Sequence, residues 1–256
     1  MVIANRRGGG IIIFPFTAPC STFFSASAVC RSSVKAWCVF HLKSPRCMRY
    51  IQYGCGLSAP DAWINYDVSP TLWLQRLPLI GGIMPGIRFP KNVRFGNIVK
   101  GLPEKPDSAD GIYCSHVLEH LTLQECRTAL TNTFRMLKPG GIFRCVLPDL
   151  EVMVNEYVTS DKKNRALIFV SDTLMGLKSR PKGIAKLRAL LGNERHLWMW
   201  DEASLSHELA AAGFIQIRRC NYNDCSDPHF KVVENSERFR NALALEATKA
   251  GIVHRA

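Results

Sequence analysis

The chain has 256 residues, 47% of them hydrophobic, with ten cysteines and a formal net charge of +12. That length allows one large domain or two small ones with a substantial core, and no run reaches the about 18 uninterrupted apolar residues of a membrane span. Residues 1–60 contain no Asp or Glu and carry Arg6, Arg7, Arg31, Lys35, Lys43, Arg46 and Arg49, which leaves +5 for the remainder. So mildly basic a body argues against a dedicated nucleic-acid binder. The cysteines form no Cys-x-x-Cys and no Cys/His knuckle, so they give no metal pattern. Cys55, Cys114 and Cys145 fall in predicted strands or strand ends, where a reduced cysteine packs as a small apolar residue. The reading is a reducing, cytoplasmic compartment without structural disulfides.

Residues 1–47 lack apolar periodicity, and Pro15 and Pro19 interrupt their one apolar run. Arg6-Arg7 followed by that run fits a signal peptide, and the Arg/Ser-rich, acid-free composition fits a transit peptide. The favoured reading is a poorly ordered, non-native extension ahead of a start at Met48, because the domain pattern begins two residues later.

Residues 50–53 (YIQY) suit a strand that stops at Gly54. Gly54-Cys55-Gly56 follows, where missing Cβ atoms let a ligand approach the backbone. Residues 63–66 make a second strand closed by Asp67, whose carboxylate can accept two hydrogen bonds from a ribose diol. A tight turn followed by a solvated Asp accounts for the same residues, since a lone Gly-x-Gly is weak evidence. Residues 72–77 predict a short helix, and residues 92–96 a third strand with Asn97 and Ile98 just beyond its end.

Residues 111–115 read as an apolar strand leading into His116 and the run VLEHL. Thr122 with Glu125 predicts a capping box and a helix through Leu130, Phe134 and Leu137 that stops at Lys138-Pro139-Gly140-Gly141. Glu119 and His120 read as helix-start and packing residues. Residues 142–147 form the next buried strand, ended by Pro148-Asp149, and residues 151–158 a helix. Residues 160–194 hold eight basic residues against Asp161, Asp172 and Glu194, which reads as a helical insert over the pocket or as a solvated surface. Asp201 or Ser204 starts a further helix, with Leu205, Leu209 and Ala212 inward and Gly213 at its stop. Strands follow at 214–218, by alternation, and 243–247. Strand and helix alternating in this way argue for a parallel sheet with helices on both faces. Ligands of such sheets bind beyond the carboxyl ends of the strands, where Gly54, Asp67, Asn97, His116 and Asp149 are all placed.

These residues resemble the class I S-adenosylmethionine-dependent methyltransferases, above all the type 11 domain and a small group associated with surface-sugar genes. The likeness spans about residues 48–249 and rests on YGCG, INYDVSP, LPEKPDSADGIYCSHVLEHL, RMLKPGGIFRCVLPDL, HLWMWDEASLSHELAAAGF and LEATK. It implies a Rossmann-like, doubly wound, seven-stranded sheet, mostly parallel with an antiparallel last strand, over residues 48–256 with a helical insert at about 151–198. It implies S-adenosyl-L-methionine as cofactor, with Gly54, Cys55 and Gly56 against its methionine part, Asp67 and the adjoining Val68 at the ribose, Asn97 and the adjoining Ile98 at the adenine, and Ser115 and His116 on the methyl-transfer side. Two departures stand out. Ser58 replaces the usual third glycine, and Asp67 follows Gly56 by only 11 residues where about twenty is usual. The first helix of the fold must then shrink to a loop, with no room for a helix that would carry a pyrophosphate.

The activity so implied is methyl transfer to an oxygen or nitrogen of a small molecule, an anionic or sugar-containing acceptor being suggested by the basic insert. The protein's main task would be alignment, with His116, then His196, as candidate general base; each also reads as a structural histidine. A non-catalytic methyltransferase-like scaffold is the rival, motivated by the missing glycine and short first loop. A nucleic-acid enzyme is a third reading, motivated by charge and weakened by the lack of an Asn-Pro-Pro-aromatic tetrapeptide.

Overall fold

The computed structural model describes residues 48–77, 88–177, 179–180 and 195–251. The expected extension over 1–47 and most of the second half of the basic insert lie outside the described residues. Seven strands, β1 (Tyr50–Tyr53), β2 (Ile64–Asp67), β3 (Val93–Phe95), β4 (Ala109–Ser115), β5 (Leu137–Pro148), β6 (Phe214–Arg219) and β7 (Ala242–Lys249), form one sheet. Their order is β3-β2-β1-β4-β5-β7-β6. The first five pair in parallel, and β7 lies antiparallel between β5 and β6. The doubly wound sheet with a reversed last strand is therefore observed as expected.

Alternation along the central strands sends residues to two cores. Ile51, Tyr53, Ile112, Cys114, Cys145, Leu147 and Leu245 share one core with Ala129 and Leu130 of α2 (Leu123–Met136) and Leu205 and Leu209 of α5 (Glu202–Ala211). Tyr50, Tyr113, Val146 and Ala244 join Trp63, Phe230 and Val233 in the other. Both faces are covered, which is why these strands read as near-continuous apolar runs. Cys114 and Cys145 are register partners, yet all six cysteines among the described residues are free.

The crossing from β1 to β2 runs through residues 54–63 without a helix, as the short spacing required. Two buried amides hold it. Gln52 Nε2 donates to Ser58 O (2.7 Å) and Asn65 Oδ1 (2.6 Å), while Asn65 Nδ2 donates to Pro60 O (3.0 Å) and Trp63 O (2.9 Å). The loop thus replaces helical hydrogen bonds with side-chain bonds to its own carbonyls.

The capping box at Thr122 and Glu125 is present, and Asp201 rather than Ser204 is the N-cap of α5, with Ser204 as its reciprocal partner. Two expectations fail. Residues 138–141 do not stop α2, which ends at Met136; Leu137 is extended, fully buried and paired with Ala109, so Lys138 through Gly141 already belong to β5. Strand β6 does not alternate, because Gln216 has φ +52° and the register shifts between Ile215 and Arg218. This is a bulge, which interrupts the period of two.

Helices α1 (Pro70–Arg76), α3 (Leu150–Thr159) and α4 (Arg165–Asp172) complete the described elements. A cavity of about 380 Å³ lies between α3 and α4, and none of the predicted site residues lines it.

Candidate functional site

Strands β1 and β4 are neighbours from which the chain continues in opposite directions across the sheet, so a crevice opens beyond their carboxyl ends. Gly54 and Gly56 enter it with φ +67° and +54°, and they serve different ends. A Cβ on Gly54 would lie 2.2 Å from Val117 Cγ2, so this glycine lets the segment after β4 pack against the loop. A Cβ on Gly56 would meet nothing nearer than Arg238 Nη2 at 3.9 Å, so its backbone faces open ground with one guanidinium beside it.

Asp67 is nine-tenths buried, not a solvated strand end. Its Oδ2 accepts from Gly56 N (2.9 Å) and its Oδ1 from Ser69 N (2.7 Å), which locks the glycine loop to the tip of β2. A carboxylate has about four lone-pair sites, so both oxygens can still accept from a ligand's hydroxyls. Cys55 is buried against Leu72 and Val93, and burial and then the Asp67 charge push its thiol up to about 12, leaving it a neutral packing residue. Val68 is exposed beside Asp67, whereas Ile98 is buried in the main core. Asn97 Oδ1 accepts from Val99 N (2.8 Å) and Lys100 N (3.3 Å), so the carbonyl assigned to an adenine amino group is engaged in its own turn. Asp149 leaves the candidate site: it is fully buried, caps α3 through Glu151 N and binds Arg219 at 2.5 Å.

At the end of β4, Ser115 Oγ is buried beside Tyr113 and completes no well-formed hydrogen bond. His116 follows with φ +55°, a conformation that costs a non-glycine residue about 1–2 kcal/mol. Its backbone N–H donates to Val146 O (2.8 Å). Its Nε2 lies 3.1 Å from Arg238 O and its Nδ1 3.1 Å from Glu119 Oε1. Burial pulls its pKa down, but the contact and charge of Glu119 more than offset this, and the net shift is upward. Both ring nitrogens are thus engaged inside the chain, and this geometry gives no support to a general-base role.

Glu119, in the 3-10 turn Leu118–His120, is fully buried, and neither carboxylate oxygen completes a well-formed hydrogen bond. Beside it lie His120 and His196, ring centroids 4.9 Å apart. His196 keeps a buried Nδ1 without a partner among the described residues, and burial lowers its pKa. The structure therefore brings Gly56, Asp67, Ser115 and His116 to one edge, joins His196 to Glu119, and sets Ile98 and Asn97 into packing and turn roles.

Two residues escaped the sequence reading. Arg238, in the 3-10 turn Ser236–Phe239, reaches back 123 positions to donate to Ser115 O (3.2 Å), and no local pattern signals that reach. Glu119 did carry a signal, an acidic residue inside the apolar run VLEHL, which reads equally well as a helix start.

A family described as "Methyltransferase domain" matches residues 42–217. Among solved structures, a SAM-dependent methyltransferase from Archaeoglobus fulgidus is 15% identical, with 80% of this chain and 87% of that one covered and a TM-score of 0.44. A SAM-dependent methyltransferase from Thermotoga maritima is 16% identical, with 78% and 82% covered and a TM-score of 0.45. Human N-acetylserotonin methyltransferase in complex with SAM is 15% identical, with 80% and 48% covered and a TM-score of 0.41. No curated protein matches the chain.

Proposed function

The chain belongs to the methyltransferase-domain family, and from that premise we propose that it transfers a methyl group from S-adenosyl-L-methionine to an oxygen or nitrogen of a small molecule. The observation that carries this reading is the tie between Asp67 and Gly56, which sets a buried carboxylate and an open glycine backbone at the switch point of the sheet. The residues suit the cofactor's parts. Asp67 has lone pairs left for a ribose diol, the open side of Gly56 admits a chain without a Cβ in its way, and Arg238 offers a cation for a carboxylate there. When bound, the cofactor supplies an electrophilic methyl on a cationic sulfur.

The chain's own residues align and desolvate. His116 meets the Arg238 carbonyl through Nε2 and Glu119 through Nδ1, and so acts as a positioning residue. Glu119 and His196, like Ser115 Oγ, keep buried polar atoms without a well-formed hydrogen bond on the β4 side. An anionic or sugar-containing acceptor is supported by the basic composition of residues 160–194. In calorimetry of the full chain, S-adenosylhomocysteine should bind, and Asp67→Ala should weaken it about a hundredfold, about 2.7 kcal/mol. Tight binding by a folded Asp67→Ala protein would remove the cofactor site from this edge. Binding without turnover over a panel of sugars and small acceptors would leave the scaffold reading in its place.

A further inference from the structure

Glu119, His120 and His196 each offer a ligand atom, and these atoms lie within 4.8 Å of one another. We propose that they form a site for a divalent first-row transition-metal cation, bound by one carboxylate and two imidazoles. That donor set suits manganese, iron, cobalt or zinc, and none of the described cysteines enters it.

Three observations support the site. The first is the unmet carboxylate. Both oxygens of Glu119 are buried without a well-formed hydrogen bond, and His116 Nδ1 touches only Oε1. A buried carboxylate is stable when it is paired or binds a metal, and here the second oxygen lacks any such partner. The second is the placement of the histidines. His120 Nδ1 lies 2.9 Å from Arg195 O, so its other nitrogen, Nε2, is the one left to face a ligand. Metal-binding histidines are commonly held in this way, through the other ring nitrogen and a backbone carbonyl. His196 Nδ1 is buried and unpartnered. A cation there would meet the carboxylate and one nitrogen of each ring at once.

The third observation is that the site is built before anything binds. Leu197 N and Trp198 N both donate to Glu119 O, at 2.7 and 3.2 Å. With the His120 to Arg195 bond, they stitch the segment around His196 to the 3-10 turn that carries the other two ligands. Rigid placement of this kind is what a metal site needs.

Three protein ligands leave room for an outside oxygen. The cation's role rests on the methyl-transfer reading, whereas its binding does not. It would lower the pKa of an acceptor hydroxyl. The hydroxyl proton would pass to water, the O–C bond would form as the S–C bond breaks, and the products would be a methyl ether and S-adenosylhomocysteine.

The test uses the full chain, stripped with chelator and titrated with Co²⁺ and Mn²⁺, followed by visible absorption, electron paramagnetic resonance and calorimetry. One equivalent should bind without thiolate-to-cobalt bands. Glu119→Gln, His120→Gln and His196→Asn should each weaken binding at least tenfold, and His229→Gln, a half-exposed histidine paired with Asp227, should not. S-adenosylhomocysteine binding and urea unfolding are measured on every variant, and only variants that unfold cooperatively are scored. Three outcomes overturn the site: no stoichiometric cation on a chain that binds S-adenosylhomocysteine, thiolate bands, or binding that survives all three substitutions. A cation bound by a chain with no affinity for S-adenosylhomocysteine would sustain the site and overturn the methyl-transfer reading instead.

Discussion

Arg144 and Glu119 are both charged and fully buried, and the chain treats them in opposite ways. Arg144, on β5, pairs with Glu234, lies 3.3 Å from Glu246, and donates to Asn221 O (2.7 Å), Asp224 O (2.8 Å) and Cys220 Sγ (2.7 Å). Its partners are satisfied in turn: Glu234 accepts from Asn223 N (2.6 Å), and Glu246 accepts from Arg218 and Ser226. The network closes on itself, with every carboxylate oxygen in it paired inside the chain. Glu119 has one aligned charge nearby and two oxygens without a proper bond. A closed network fixes the fold, because a half-satisfied one would be worse than an apolar core. An open one persists where something outside the chain completes it.

Breaking the closed network should have the largest effect. Arg144→Met strands two buried carboxylates, and removing one partner of such a pair typically costs about 3–5 kcal/mol. Urea unfolding should show that loss, and a loss below about 1 kcal/mol would mean that the network does not hold the segment between β6 and β7.

The two glycines sharpen the contrast on a smaller scale. Gly54→Ala drives a methyl into Val117 at a positive φ, and overpacking of this kind costs about 1–3 kcal/mol before the strain of the backbone is added. Val117→Ala in the same chain should return the packing part of that loss. Gly56→Ala meets open space, so it should lose only the about 1–2 kcal/mol of its left-handed backbone. Its main effect should be on S-adenosylhomocysteine affinity, weakened about tenfold, which is about 1.4 kcal/mol. If both variants lose stability and affinity alike, the division of labour between the two glycines is wrong.

What could be read from the sequence follows the reach of each interaction. The β1 edge, the Thr122 capping box and the Asp201 cap depend on residues within a few positions of one another, and each was legible. The Lys138-Pro139-Gly140-Gly141 stop followed the local rules and was still misread, because the pairing of Leu137 with Ala109 outweighs them. The bulge in β6 had no local sign. His116 lies at a strand tip as expected, but the Arg238 carbonyl that meets its Nε2 comes from 122 positions away and has no local sign. The meeting of Glu119 with His196 is likewise set by backbone bonds between distant segments, and no spacing in the sequence announces it.

The smallest expected effect is the most telling one. Glu119→Gln removes a buried charge without changing shape. Had Glu119 been part of a closed network, the substitution would cost several kcal/mol, as at Arg144. Because Oε1 meets only His116 and Oε2 has no partner among the described residues, the cation-free protein should lose less than about 2 kcal/mol. Urea unfolding in chelator measures this directly. Repeating the measurement with saturating Co²⁺ should widen the gap, since the parent chain binds the ion more tightly and gains more stability, by an amount that grows with concentration over Kd. A cation-free Glu119→Gln protein that is less stable by more than about 2 kcal/mol would show that the carboxylate is already satisfied by His116. The contrast between the two buried charges would then collapse into one of degree.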